Sequence, residues 1–194
     1  MNNQSNLAAN VAKGLISGFV ASFVMNVFQQ NASKLLSGNE KSHGAQSQQD
    51  GSPDHGAGAY LASKGLDDPE DNAASRLANL VSVAATDQPL DKENKHLGGT
   101  LFHYLFGATT GGFYAGLSQL LPVTGVGLGV PYGTAVWLIA DEMVVPALGL
   151  SKNASEYPPS IHAYALASHV VYGVSTDLVL RLLGGKQNNS SSSH

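Results

Sequence analysis

No lysine, arginine, aspartate or glutamate occurs between Leu97 and Ala140, a run of 44 consecutive positions in a chain of 194. Nothing else in the sequence restricts the fold as strongly. A helix packed on a water-soluble domain keeps a polar face toward solvent and places charges on it. A helix surrounded by lipid has no such need, because its backbone polar groups are satisfied internally. A second uncharged run spans Tyr157 to Thr176, and most of the charge lies between Lys34 and Lys95. The averages conceal this: 12% charged residues and a mean hydropathy of −0.03 describe an ordinary soluble protein.

Four segments have the roughly 20 apolar residues that a bilayer crossing requires. They are Val11 to Phe28, Leu97 to Leu121, a stretch within Val123 to Leu150, and Ile161 to Leu183. The expected architecture is all-α, a four-helix transmembrane bundle with an additional amphipathic helix before the second span. Residues 1–36 form the N-terminal segment and first transmembrane helix, read as retained rather than cleaved because no small-residue cleavage site closes the run. Residues 37–58 are Gly/Ser/Gln-rich and read as a disordered polar loop. Residues 59–96 form an amphipathic or interfacial helix region, 97–184 a three-helix transmembrane core, and 185–194 a disordered tail. Within 59–96, Asp68 is the expected N-cap and Pro69 the first helical residue. Leu77, Leu80, Val81 and Ala84 follow as an apolar stripe.

Several functions are excluded early. A net charge of −4 gives no basic footprint for nucleic acid. The absence of cysteine removes thiolate metal sites, disulfides and cysteine catalysis. "TGVGLGVPYG" lacks the lysine of a phosphate-binding loop. Ser168 and His169 are adjacent and point about 100° apart on a helix, which is not a triad geometry. The reading leans away from an enzyme. Gly14-x-x-x-Gly18, Gly107-x-x-x-Gly111 and Gly112-x-x-x-Gly116 are read as helix-packing positions, where small residues let backbones approach.

What chemistry there is lies in polar groups inside apolar segments: His103 and Tyr104 in the second, Asp141 and Glu142 in the third, and His162, His169 and Asp177 in the fourth. Ionisable groups in such positions are costly, usually face the bundle interior, and mark ion or proton paths. Four readings stay open. These groups sit at helix ends in the headgroup layer, form a structural polar cluster, line a path for protons or a small solute, or bind metal or haem b through His103 and His169. No cofactor is expected on the leading reading. The partners expected are the lipid bilayer and a membrane-protein partner or second copy of the chain, with no nucleic acid.

The stretches "GLISGFVASFVMNVF", "FHYLFGATTGGFYAGL", "GTAVWLIADEMVVPALGL" and "HAYALASHVVYGVSTDLVLRLL" together resemble the YagU-like family of bacterial inner-membrane proteins, a family of largely undefined function. The resemblance covers the first span and everything from about His96 to Leu183. It implies a small multi-pass α-helical protein of the bacterial inner membrane, and no reaction.

The third segment carries a specific expectation. A helix beginning near Val123 brings Asp141 to the far interface after about 27 Å. A helix beginning at Pro131 leaves the carboxylates nearer mid-depth, where they need burial. Pro146 cannot donate a hydrogen bond to the carbonyl of Glu142. The expectation is that Asp141 or Glu142 lies within reach of His103 or His169.

Overall fold

The computed structural model describes residues 2–37, 51–120 and 127–184. Among these all the regular secondary structure is helical, with no strand. The long elements are α1 (Asn2–Ser37), α4 (Lys92–Leu120) and α7 (Pro159–Leu182). Between α1 and α4 lie α2 (Gly56–Ser63) and α3 (Ala73–Thr86). Between α4 and α7 runs α5 (Val130–Val136), a π-helix (Trp137–Val144), the single turn α6 (Val145–Ala147) and a 3₁₀ turn (Ala154–Glu156). Two helical stretches are long and apolar enough to cross a membrane, Asn6–Ala32 and Pro159–Leu182. Length and composition thus single out two of the four expected spans. The second segment is diluted by glycine, threonine and tyrosine. The third is helical over residues 130–147, with two carboxylates inside it.

The third helix takes the later of the two expected starts. Gly127, Leu128 and Gly129 all have positive φ, 80°, 52° and 78°. Glycine at 127 and 129 makes this left-handed turn inexpensive. Val130 then closes the first turn onto the Gly127 carbonyl at 3.0 Å, with Pro131 in the first helical turn. The link at 121–126 lies outside the described residues, as do 38–50 of the expected disordered loop and the tail from 185. Residues 51–58 of that loop are described, and from Gly56 they are helical. The N–H groups of Ala57 and Gly58 donate to the carbonyls of Leu148 and Gly149 at 3.0 and 2.7 Å. The free donors at the start of α2 thereby satisfy the free acceptors at the end of the third helix.

The chain divides into two compact units. The first comprises the described parts of Met1–Phe28, Tyr104–Ala135 and Ala167–His194. Here α1 and α4 run antiparallel on glycine. A β-carbon at Gly18 would strike the Gly107 carbonyl, and one at Gly14 would strike Ala115 and the Gly111 carbonyl. The third helix and α7 meet the same way, Gly129 and Gly133 lying on the backbone of Gly173 and His169. Small residues at i and i+4 set these contacts, as the glycine spacing predicts. The interior also holds Ala21, Met25, Tyr114, Tyr172 and Leu180.

The second unit comprises the described parts of Gln29–His103 and Val136–Leu166. Its helix α3 departs from the expected cap. Asn72, not Asp68, accepts the Ser75 N–H at 2.9 Å. Asp68 forms a turn instead, its Oδ1 accepting from the Glu70 N–H, and Asp71 binds the Lys95 ammonium at 2.7 Å. The buried face of α3 is Ser75, Arg76, Ala78 and Asn79, while Val81 of the apolar stripe is 47% exposed. Leu77 and Leu80 are half-buried and Ala84 is exposed, so the stripe lies beside the buried face and not on it.

Arg76 is fully enclosed. Its Nε donates to Asp67 Oδ1 at 2.7 Å, Nη1 to the Leu150 carbonyl at 3.1 Å and Nη2 to the Gly51 carbonyl at 3.1 Å. One planar guanidinium ties three separate stretches of chain, a task its fixed fork of donors suits.

Candidate proton site

Pro146 shapes the site through the backbone. It supplies no N–H to Glu142, and its ring crowds that carbonyl. The helix responds by widening. Val145 donates to the carbonyl of Ala140, five residues back, and Trp137–Val144 adopts π geometry. Such single-turn widenings are frequent at functional sites. From Gly133, a regular α-helix returns to the same face at 137 and 141. The extra residue of the π segment carries that face on to 142.

Glu142 accordingly meets His162 on α7. Its Oε1 lies 2.7 Å from His162 Nδ1. The other ring nitrogen, Nε2, donates to the Ala154 carbonyl at 3.0 Å. That carbonyl is presented by the 3₁₀ turn, which Asn153 and Glu156 fix through a reciprocal capping box. The side chains of Glu142 and His162 are 12% and 26% exposed. Because a carbonyl only accepts, Nε2 must carry a hydrogen. Because Glu142 Oε1 also presents lone pairs, a second proton must lie between it and Nδ1. The pair is thus built to hold one exchangeable proton, whether drawn as imidazolium and carboxylate or as imidazole and carboxylic acid.

The remaining candidates are distributed as follows. His103 is half-buried in the second unit, and Asp141 half-buried in the π-helix. Tyr104 is in the first unit, its hydroxyl accepting from Asn26 Nδ2 at 3.1 Å and its ring 5.0 Å from that of Phe19. His169 is buried in the first unit, and its backbone lies against Gly133. Asp177 is fully buried, accepting from the Tyr114 hydroxyl at 2.7 Å and from Arg181 Nε at 2.8 Å. The histidine on Glu142 is His162. Among the described residues no group of three or more His, Asp or Glu side chains is arranged to hold a metal ion.

Sequence reasoning missed several partners. Arg181 was detectable from its i,i+4 spacing to Asp177. Tyr114, Thr110 and Tyr172 are visible as polar groups in apolar runs, but nothing in their spacing pairs Tyr114 with Asp177 or Thr110 with Tyr172 at 2.8 Å. His55 was hidden in the polar loop. It lies 2.8 Å from Asp54 Oδ1 through Nδ1, and its Nε2 donates to the Pro146 carbonyl at 2.8 Å.

His55 has an observable consequence. The hydrogen bond that the ring donates to Asp54 first, then that to the Pro146 carbonyl, raise the His55 pKa above the ordinary histidine value. A raised folded-state value means that the stabilisation is fully present below the unfolded value, about 6.5, and is lost as pH rises through the folded one. NMR titration should find His55 above the ordinary value, and Asp54→Asn should lower it. A His55 titration unaltered by Asp54→Asn would show that the pair does not form in solution.

These features define a class: a small helical protein with two membrane-length helices, glycine-mediated helix contacts and carboxylates buried against basic or hydroxyl partners. Within that class, the chain belongs to the family described as "Protein of unknown function (DUF1440)", whose sequence model matches residues 68–178. The matched stretch contains Arg76, Glu142, His162 and Asp177. No curated protein and no solved structure matches the chain.

Proposed function

We propose that the chain is a YagU-like protein of the bacterial inner membrane, crossing it four times, and that it carries protons by way of Glu142 and His162. The proton reading rests on one observation, the placement of both His162 nitrogens against acceptors. In that arrangement the pair is neutral overall with its proton and carries one negative charge without it. Inside a low-dielectric bundle the second state is costly. Loss of the proton therefore favours opening of the Glu142–His162 contact, which is what a carrier site requires.

The membrane reading is supported by inverted burial. Large apolar side chains face outward on all four segments: Phe19 and Phe23 on α1, Leu101 and Phe113 on α4, Ile139 and Met143 on the third, Leu178 and Leu182 on α7. Polar side chains are inside: Asn10, Ser17, Ser22, Ser118, Ser168 and Thr176. Water would drive the opposite sorting. The exposed Val81 and Ala84 of α3 suit a helix lying in the interfacial layer.

The test is proton flux into proteoliposomes driven by a potassium-diffusion potential. The native protein should acidify the lumen. Glu142→Gln and His162→Phe should each cut the rate about 100-fold, the lower range for losing a positioned proton-transfer group. Both variants should retain native helicity. A flux indifferent to Glu142→Gln, or no flux from the native protein, would overturn the reading.

A further inference from the structure

The third helix ends on a row of carbonyls that are held from outside it. Leu148 and Gly149 accept from the Ala57 and Gly58 N–H groups, Leu150 from Arg76 Nη1, and Pro146 from His55 Nε2. These donors all belong to the second unit, as does Glu142, which lies one turn before Pro146. Two of them are backbone amides and one is a guanidinium, groups that keep their hydrogens throughout the physiological pH range. His55 is the one that titrates there. The side chains of His55 and Asp54 are 36% and 85% exposed, so protons from bulk water reach them directly.

The ring stands between two acceptors, Asp54 Oδ1 on Nδ1 and the Pro146 carbonyl on Nε2, both at 2.8 Å. An imidazolium has a hydrogen for each. A neutral imidazole has one hydrogen for two acceptors, so one contact must open. The carboxylate is charged, is the stronger acceptor, and keeps the hydrogen. Nε2 then presents a lone pair to the Pro146 carbonyl, and the two separate. The carbonyl loses little by this, since it still accepts from the Gly149 N–H at 2.8 Å. The charged groups facing the ring are Asp54 from its own stretch and Glu156 from the 3₁₀ turn, and both favour the imidazolium. The Lys152 ammonium lies against Gly51, at the start of the same stretch. We infer that His55 is a proton-operated latch: charged, it fastens the end of the helix that carries Glu142, and neutral, it lets that end go. A fastened helix resists the movement that parts Glu142 from His162, so the closed latch slows proton passage at acid pH. This control of flux rests on the proposed proton function; the latch itself does not.

The sequence contains no cysteine and Leu148 is 54% exposed, so a nitroxide on Leu148→Cys reports this helix end alone. In full-length protein in lipid nanodiscs, the label should be immobilised at low pH and become mobile as pH rises through the His55 titration. Asp54→Asn should move that midpoint to lower pH, and His55→Phe should leave the label mobile throughout. One pH unit below the midpoint, the native latch is closed about tenfold more often than open. At that pH, set equal on both sides of the membrane, His55→Phe in proteoliposomes should pass protons about tenfold faster than the native protein. Well above the midpoint the two rates should agree. A label whose mobility does not change with pH, or changes alike in His55→Phe, overturns the latch whether or not the protein moves protons. A pH-dependent label in a native protein that moves no protons keeps the latch and overturns the control of flux. So does a ratio of variant to native flux that is the same at every pH.

Discussion

Alanine at Gly133 or Gly18 destabilises the protein by about 1–3 kcal/mol, the range for forcing added volume into a packed interior, and leucine at either site prevents folding. The reason is what the new β-carbon meets. At Gly133 it meets the His169 carbonyl, and at Gly18 the carbonyl of Gly107. Both obstacles are backbone, so no rotamer change relieves them and the helices must move apart. Gly116 supplies the control. It completes a four-residue glycine spacing with Gly112, but a β-carbon there lies 3.6 Å from Val11 Cγ2, an ordinary contact. Gly116→Ala should therefore be neutral or stabilising, since alanine is favoured over glycine in a helix by about 1 kcal/mol. Thermal unfolding in detergent would separate the three. Equal losses at Gly116 and Gly133 would contradict the packing described.

Arg76→Met is expected to cost about 3–5 kcal/mol, as breaking one side of a buried ion pair does. The variant strands Asp67, whose side chain is 1% exposed, and leaves the carbonyls of Leu150 and Gly51 without their donor. Arg76→Lys should restore little, because a single ammonium cannot reproduce the fork. The pair Arg76→Met with Asp67→Leu should be more stable than Arg76→Met alone, because no charge is then stranded. Denaturation midpoints of the three variants would test this. A double variant less stable than Arg76→Met would show that Arg76 acts mainly through the backbone carbonyls.

Much of this was readable from the residues, and the failures have physical causes. Uncharged runs located the long helices, and glycine spacing located their contacts. The start of the third helix was left between Val123 and Pro131, and the positive-φ glycines at 127 and 129 are what place it at Val130. The partner of Glu142 was not readable. Its face depends on the π-helix, which shifts the sequence register by one residue, and on the course of residues 147–159, which sets which histidine of α7 lies opposite. Helix α3 was found from its apolar stripe, but its buried face was not, because Arg76 and Asn79 are held inward by hydrogen bonds to residues distant in the sequence. Its cap was misplaced because Asp68 and Asp71 serve a turn and a lysine. His55 escaped because composition cannot distinguish a Gly/Ser-rich loop from one fastened to a helix end.

The proposed topology puts polar groups inside four membrane crossings. The chain has no cysteine, so single cysteines report cleanly. Labelling with a membrane-impermeant maleimide, in intact cells and in inverted vesicles, should place Asn2→Cys, Leu128→Cys and Leu183→Cys on one side. Ser63→Cys and Ser155→Cys should label only from the other. If α1 and α7 alone cross, Leu128→Cys will label together with Ser63→Cys, and that result would contradict the account.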